Sequence, residues 1–166
     1  MTVQEYYMRI SELAAQLVAE CSARGVKIST AESCTGGMIS GAVTAVSGSS
    51  AVIELGVCSY SNRIKREVLG VSAATLEKYS EYSVQCAAEM AEGVRRLSGA
   101  DYGVSTTGVA GPTGGSAEHP VGEVCIAVSG GRTFSERLLF GGDRELVRAA
   151  ATVAALELLL KEIRAN

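Results

Sequence analysis

The sequence predicts an α/β fold, a three-layer α/β/α sandwich built on a mixed sheet. Helical and strand-like segments intermix along all 166 residues, a pattern typical of a sheet covered by helices on both faces. The pair Gly130-Gly131 between two strand-like runs indicates a hairpin, which makes the sheet mixed rather than purely parallel. The length and the 47% apolar content suit one domain with its own core, which we expect to span residues 1–166.

The first half of the chain divides at glycines and serines. Apolar residues at three- and four-residue spacing over residues 3–21 predict an amphipathic helix that ends before Gly25. Short apolar runs and breaks predict the elements that follow, namely a strand at 26–30, a helix at 35–46, a strand at 51–61 and a short helix at 62–69.

The second half continues with capped helices and strands. Ser72 and Ser83 are N-cap residues for helices that end near residues 79 and 97. A buried strand at 102–107 precedes a glycine-rich loop, and two strands flank the hairpin, at 121–129 and 133–140. Asp143 caps a final helix at 144–163, rich in Ala and Leu on nearly all sides. Such a helix is buried either in the core or in a homodimer interface, and the sequence does not separate the two.

The composition excludes several classes of protein. The net charge is −3 and no basic tract exists, so we expect no nucleic-acid partner. The five cysteines are scattered without a C-x-x-C pair, which argues against disulfides and zinc, and the single histidine excludes multi-histidine metal sites. We therefore expect no metal and no cofactor. No signal-like start and no long apolar run are present, so we expect a cytoplasmic protein without a membrane partner.

The first candidate site is the turn Ala31-Glu32-Ser33-Cys34-Thr35-Gly36-Gly37, which lies between a predicted strand and a predicted helix. Backbone N–H groups at a helix start lack partners within the helix and face a positive dipole end, so the turn can hold a phosphate or a developing oxyanion. The alternative is that Ser33 or Thr35 is simply the N-cap of the helix.

The second candidate site is the segment Tyr60-Ser61-Asn62-Arg63-Ile64-Lys65-Arg66. If Asn62 is an N-cap, three cations lie in or beside the first helical turn, where acidic residues are normally favoured. Neighbouring cations, the helix start and partial burial would all lower the pKa of Lys65, so that a neutral amine takes the proton of a serine hydroxyl. The alternatives are a solvated basic helix end, and a Tyr60 that is only a strand residue.

Two further stretches have the composition of binding elements. The connection at residues 108–120 is long and holds four glycines, which let backbone amides approach a ligand, although a mobile surface loop has the same composition. Arg144 begins the last helix after Gly141-Gly142-Asp143, where its guanidinium is placed to hold a phosphate or is simply exposed. His119 lies in the loop beside a proline, and we interpret it as peripheral.

Together these stretches resemble the CinA carboxy-terminal family of competence/damage-inducible proteins. The similarity extends over residues 8–163 and keeps the order and the internal spacing of the family's motifs. The motifs stand here as Ala31-Glu32-Ser33-Cys34-Thr35-Gly36-Gly37, Ser59-Tyr60-Ser61-Asn62 with Lys65, Thr107-Gly108-Val109-Ala110-Gly111-Pro112, Pro120-Val121-Gly122 and Gly142-Asp143-Arg144.

The resemblance implies an enzyme that acts on a small-molecule nucleotide. Stand-alone members of the family hydrolyse the carboxamide of nicotinamide mononucleotide to nicotinic acid mononucleotide and ammonia. By that likeness Ser33 is the nucleophile, and Lys65 and Tyr60 assist it. The substrate contacts implied for this chain fall on Cys34, Thr35, Gly36, Gly37, Asn62, Thr107, Gly108, Ala110, Gly111 and Arg144.

Two other functions fit the same residues. One is a nucleotide-sensing or partner-binding module that keeps the pocket without turnover. The other is a phosphatase or another phosphoryl-transfer enzyme that uses the anion-binding turn. The sequence shows no obvious carboxylate cluster for Mg²⁺, so the second function is the least favoured.

Overall fold

The computed structural model describes all 166 residues. It contains six helices, five strands and one 3₁₀ turn at Ser49–Ala51. In chain order the elements are α1 (Val3–Arg24), β1 (Ile28–Glu32), α2 (Met38–Thr44), β2 (Ile53–Cys58), α3 (Asn62–Glu67), α4 (Ala73–Tyr79), α5 (Val84–Ser98), β3 (Tyr102–Gly108), β4 (Glu123–Ser129), β5 (Thr133–Leu139) and α6 (Arg144–Ala165).

The five strands form one mixed sheet in the order β2-β1-β3-β4-β5. The first three strands are parallel, whereas β3, β4 and β5 pair antiparallel, and the hairpin joins β4 to β5 as predicted. Helices α1, α2 and α6 pack on one face of the sheet, and α5 with α4 covers the other. The predicted three-layer sandwich is therefore confirmed.

The core is largest between the sheet and the α1–α6 pair. Strands β1 and β4 are buried along their whole length, as fits the middle of a covered sheet. In α6, thirteen of the 22 residues are buried within this single chain. The Ala- and Leu-rich composition of α6 is thus explained by the chain's own core, and a homodimer stays a prediction without support from this helix. None of the helices has the length and apolar content of a membrane-crossing segment.

Several predicted boundaries were wrong by a few residues around the turn that follows β1. Strand β1 begins later and continues through Glu32, because the chain there still pairs with Cys58 on one side and Thr106 on the other. Helix α2 begins only at Met38, since Gly36 and Gly37 have positive φ angles of 60° and 99° that no helix accommodates. The segment between strand and helix is therefore a distinct turn.

The boundaries around β2 also differ from the prediction. Strand β2 is shorter than predicted, because residues 49–51 form the 3₁₀ turn and the chain leaves the sheet after Cys58. The N-cap of α3 is Ser61 and not Asn62, since the Ser61 hydroxyl accepts the Ile64 N–H at 3.3 Å. Asn62 is instead the first residue of the helix.

The carboxyl ends of the three parallel strands meet at one edge of the sheet. Sheet-like hydrogen bonds continue one residue beyond β1 and one residue beyond β2: the Ser33 N–H donates to the Thr106 carbonyl and the Ser59 N–H donates to the Glu32 carbonyl, both at 2.9 Å. Ser33 is thereby fixed directly above the middle of the parallel part of the sheet. In open α/β sheets this edge is where ligands bind.

Candidate active site

A cleft at this edge brings together connections from five parts of the chain. It is lined by Ser33, Cys34, Tyr60, Asn62, Lys65, Glu81, Tyr82, Gly108, Val109, Ala110, Gly111, Thr113, Gly114 and Arg144. Nine of the thirteen predicted site residues are in this set. The other four, Thr35, Gly36, Gly37 and Thr107, do not line the cleft.

The side chains of Ser33 and Lys65 meet at the base of the cleft. The Lys65 Nζ donates to the Ser33 Oγ at 3.1 Å and to the backbone carbonyl of Tyr60 at 3.3 Å. These two residues are 32 positions apart in the chain, and only the pairing of β1 with β2 brings their elements together. The predicted serine–lysine contact is therefore present in the structure.

Burial governs the chemistry of Lys65. The residue is only 2% exposed, and no carboxylate lies within salt-bridge distance of its Nζ. Removal from water disfavours the ammonium form, so burial lowers the pKa of Lys65 below its ordinary range. A smaller opposite effect comes from nearby groups, including the carboxylate of Glu81, which raise the pKa of Lys65.

The direction of this shift and one of its three predicted causes, burial, agree with the sequence argument. The other two predicted causes, neighbouring cations and the helix start, are not the ones that lower the pKa of Lys65. Instead Arg63 and Arg66 are exposed, and Arg63 forms an ion pair with Glu67 at 2.5 Å. Helix α3 turns only Lys65 inward, so burial and not repulsion destabilises the charge.

Neither Ser33 nor Thr35 is a helix cap, so that interpretation of the turn is wrong. The N-cap of α2 is Gly37, and it makes no side-chain hydrogen bond. The buried carboxylate of Glu32 replaces a cap: it accepts the N–H groups of Gly37, Ile39 and Ser40 at 2.9–3.1 Å. Because Glu32 satisfies the helix start, the Ser33 hydroxyl is free to contact Lys65.

The turn after Ser33 leaves two backbone donors unused. The Gly36 N–H donates to the Ser33 carbonyl at 3.1 Å and the Gly37 N–H to Glu32, so both are engaged. The N–H groups of Cys34 and Thr35 donate to no acceptor in the protein. Only Cys34 lines the cleft, whereas Thr35 is fully buried, so the Cys34 N–H is the predicted anion donor that remains available next to Ser33.

The carbonyl groups of the same turn bind an arginine from α6. The Arg148 Nε donates to the Cys34 carbonyl at 3.1 Å, and its Nη2 donates to the Thr35 carbonyl at 2.9 Å. The backbone of the turn is thus held by Glu32 on its N–H side and by Arg148 on its carbonyl side. Sequence reasoning did not single out either residue for this purpose.

Tyr60 and Arg144 close one wall of the cleft. The Arg144 guanidinium donates to the Tyr60 hydroxyl at 3.1 Å and to the Gly111 carbonyl at 2.9 Å. Tyr60 is 61% exposed, and only its backbone carbonyl contacts Lys65. The hydroxyl of Tyr60 therefore does not bridge Ser33 and Lys65, and the direct contact is the one that this geometry supports.

The four predicted residues outside the cleft have structural contacts. The Thr35 hydroxyl bonds to the Glu32 carboxylate at 2.6 Å and to the Thr106 hydroxyl at 2.7 Å. The Thr107 hydroxyl donates to the Glu81 carbonyl at 2.7 Å. Gly36 and Gly37 give the turn its positive φ angles. The substrate contacts of these four residues stay a prediction, which their places outside the cleft lining do not support.

Two residues from the α4–α5 connection enter the cleft without having been predicted. Glu81 is the only acidic residue in the lining, and Tyr82 lies next to it. Burial, with the Glu81 carboxylate as a second cause, raises the pKa of Tyr82. No motif marks either residue in the sequence, because only the packing of α5 on β3 brings their connection to the cleft.

His119 lies outside the cleft lining but ties its loop to the protein. Its Nδ1 is 2.8 Å from the Glu123 carboxylate, and its Nε2 is 3.0 Å from the Ser80 hydroxyl. These bonds connect the loop at residues 108–120 to the start of β4 through Glu123 and to the α4–α5 connection through Ser80. The residue thus has a structural contact on both ring nitrogens.

Ser33 has no competing thiol nucleophile. Burial raises the pKa of the adjacent Cys34 thiol to about 12, so it stays protonated at neutral pH. The pKa of Cys86 is raised to about 12 for the same reason.

No group of three or more potential metal ligands is clustered anywhere in the protein.

Comparison with known proteins agrees with this architecture. The profile of the CinA C-terminal domain matches residues 10–163, nearly the whole chain. The chain belongs to the CinA C-terminal domain family.

Relatives within the CinA family include both short and long proteins. The chain is 47% identical over 160 residues to the nicotinamide-nucleotide amidohydrolase PncC of Enterobacter agglomerans, covering 95% of this chain and 98% of that protein. It is also 47% identical to a CinA-like protein of Anaeromyxobacter sp. (strain Fw109-5), covering 92% of this chain but only 38% of that protein. Within such CinA-like proteins the domain is therefore one part of a longer chain.

Solved structures of the CinA family share the fold. The competence/damage inducible protein CihA from Agrobacterium tumefaciens superposes with a TM-score of 0.90 at 42% identity, covering 92% of this chain and 94% of that one. The CinA superfamily protein KP700603 from Klebsiella pneumoniae gives a TM-score of 0.91 at 37% identity, covering 95% and 99%. The α/β architecture described above is thus the architecture of the family.

Proposed function

We propose that this CinA-family chain hydrolyses the carboxamide of nicotinamide mononucleotide, giving nicotinic acid mononucleotide and ammonia through an acyl-enzyme on Ser33. The observation that carries the proposal is the buried contact of 3.1 Å between the Lys65 amine and the Ser33 hydroxyl. The likeness to a nicotinamide-nucleotide amidohydrolase over nearly its full length supports the choice of substrate.

In the acylation step the neutral amine of Lys65 takes the proton of the Ser33 hydroxyl. The Ser33 oxygen then attacks the carboxamide carbon, and the former carbonyl oxygen becomes an oxyanion. We assign the N–H group of Cys34, which lines the cleft and has no acceptor in the protein, as its hydrogen-bond donor. A single oxyanion donor contributes about 2.7–4 kcal/mol to such reactions.

The tetrahedral intermediate collapses when its C–N bond breaks. The leaving nitrogen takes the proton that Lys65 received, departs as ammonia and leaves an ester on Ser33 with Lys65 neutral again. Water then attacks the ester, with Lys65 as the base a second time. The balance is one amide and one water consumed for one acid and one ammonia formed.

The nucleotide part of the substrate is assigned to the rim of the cleft. Arg144 uses two of its five N–H donors on Tyr60 and Gly111, which leaves three for a phosphate. The backbone of Gly108, Ala110 and Gly111 lines the adjoining wall, next to the exposed Asn62. Phosphate recognition at Arg144 would place the reacting amide deeper, towards Ser33.

The test is ammonia release from nicotinamide mononucleotide by purified wild type, Ser33→Ala and Lys65→Ala. Both variants should lose activity by a factor of at least about 1,000, because the residues act as a unit. The matched control is Lys78→Ala on α4, which removes an exposed lysine outside the cleft and should keep wild-type turnover.

Two results would count against the proposal. If Ser33→Ala stays within a few-fold of wild type, Ser33 is not the nucleophile. If wild type binds the nucleotide, seen as a rise in melting temperature, yet releases no ammonia, the chain is a binding module instead.

A further inference from the structure

The carbonyl side of the Ser33 turn is held by a guanidinium that has no ionic partner. Arg148 is half-buried, and no carboxylate lies within salt-bridge distance of it. Its two hydrogen bonds both go to backbone carbonyls, those of Cys34 and Thr35. The partners of this half-buried guanidinium in the protein are thus carbonyl dipoles and not a carboxylate. The use of Arg148 on two consecutive carbonyls therefore calls for a reason.

The geometry of the peptide bond supplies one. In a planar trans peptide the C=O of one residue and the N–H of the next point in opposite directions. The Arg148 bond to the Cys34 carbonyl therefore directs the Thr35 N–H away from α6. In the preceding peptide, the Ser33 carbonyl is held by the Gly36 N–H at 3.1 Å, which directs the Cys34 N–H in the same manner. The Arg148 bond to the Thr35 carbonyl fixes the direction of that Gly36 N–H, so Arg148 acts on the Cys34 N–H through the bond between Gly36 and Ser33.

The sequence of the turn keeps room for this contact. A Cβ added at Gly36 would lie 3.3 Å from the Arg148 Nη2, closer than side chains normally approach. Gly36 also has a φ of 60°, which favours glycine. Arg148 lies four residues after Arg144, hence on the same face of α6. Helix α6 thus presents Arg144 to the rim of the cleft and Arg148 to the carbonyl side of the Ser33 turn.

We propose that Arg148 is a positioning residue that sets the oxyanion donor of Cys34 by holding the carbonyl side of the Ser33 turn. The inference rests on the proposed function, because it assigns that donor to the oxyanion of an acyl transfer. Arg148 does not line the cleft and makes no contact with the reacting atoms. Its effect is on the transition state, through the direction of the Cys34 N–H group.

The experiment compares Arg148→Met with the matched control Arg96→Met. The Arg96 Nη2 also donates to a backbone carbonyl, that of Leu69 at 3.2 Å, and neither residue lines the cleft. For Arg148→Met we expect kcat to fall about 100-fold, the loss typical of one oxyanion donor, while KM changes less than threefold. Arg96→Met should keep kcat within threefold of wild type.

Arg148→Lys separates charge from geometry. Lysine keeps the positive charge behind the turn but cannot hold two carbonyls with a planar fork. We expect Arg148→Lys to stay at least tenfold below wild type in kcat. This conservative variant also keeps the proposal testable if Arg148→Met does not fold, since its melting temperature and kcat are measured together.

A second readout does not depend on the nucleotide. A fluorophosphonate reacts with an activated serine through a transition state with a negative oxygen, so its labelling rate at Ser33 should fall in parallel with kcat. Wild type that labels at Ser33 but does not hydrolyse the nucleotide would contradict the proposed substrate, and the labelling rates would still decide the role of Arg148. Wild type that does neither contradicts both.

Two outcomes overturn the inference while the proposed function stands. One is a folded Arg148→Met that keeps kcat and labelling within threefold of wild type. The other is a rise in KM with unchanged kcat, which would make Arg148 a substrate-binding residue.

Discussion

At the scale of single residues, the proposed function depends on the protonation of one buried amine. In the proposed mechanism Lys65 is neutral when it accepts the Ser33 proton, and burial lowers its pKa below the ordinary range of a lysine. The neighbouring thiols move the other way, since burial raises the pKa of Cys34 and Cys86 to about 12. Burial therefore favours the neutral form of the amine and the protonated, unreactive form of the thiols.

The pH dependence of activity follows from this shift. As pH rises through the Lys65 pKa, the neutral fraction and hence kcat/KM should rise and then level off, with a midpoint below that of a free lysine. A profile of kcat/KM for nicotinamide mononucleotide measures this midpoint. An activity that keeps rising into the ordinary lysine range would contradict a neutral Lys65 as the base.

The stability of the protein should show the same titration. Because the folded-state pKa of Lys65 is lowered, the unfolded chain binds more protons between the two pKa values, and the free energy of unfolding rises with pH there. Lys65→Met removes the buried amine, so we expect it to be more stable than wild type at low pH. That difference should shrink as pH rises towards the ordinary lysine pKa, which urea unfolding at several pH values would test.

At the scale of elements, the site depends on how α2 begins. Its first turn has no Ser, Thr or Asp cap, and the carboxylate of Glu32 at the end of β1 accepts three of its N–H groups. Strand end, turn and helix start are thereby joined through one buried side chain. This arrangement keeps the Ser33 hydroxyl free for Lys65.

Removing the charge of Glu32 should loosen this junction. For Glu32→Gln we expect a loss of about 2 kcal/mol or more in the free energy of unfolding, since hydrogen bonds to a charged group are the stronger kind and the amide accepts fewer of them. The matched control is Glu54→Gln, whose partly exposed ion pair with Lys27 at 3.1 Å should contribute less than about 1 kcal/mol. Urea unfolding of both variants gives the comparison, and equal losses would contradict the role of Glu32.

The sequence predicted most elements but not their junctions. Hydrophobic spacing and serine or aspartate caps are local signals, so α1, α4, α5 and α6 were predicted to within a few residues. The end of β1 and the start of α2 were not predicted correctly. The Glu32 carboxylate bonds to the N–H groups at the start of α2 and to the Thr35 hydroxyl, whereas the capping rule assigns the bonds at a helix start to Ser33 or Thr35. The cap of α3 was misplaced by one residue for a related reason, since Ser61 and Asn62 are both good caps.

At the scale of the whole molecule, the cleft is a product of strand order. Placing β1 between β2 and β3 brings Ser33 next to the helix that carries Lys65 and to the loop that follows β3. The motifs predicted most residues of the cleft, but their spacing contained no information about the direction in which each side chain points or how deeply it is buried. Glu81 and Tyr82 have no local signature and became visible only in the folded chain. Arg148 had one usable signal, its position one helical turn after Arg144.

The central claim is that Ser33 carries a covalent acyl group during turnover. The direct measurement is mass spectrometry of wild type quenched during hydrolysis of nicotinamide mononucleotide, followed by mapping of the modified peptide. We predict a nicotinoyl-nucleotide ester on Ser33, absent in Ser33→Ala, and formation of the hydroxamate when hydroxylamine replaces water. Ammonia release without any adduct on Ser33 and without hydroxamate would contradict the account.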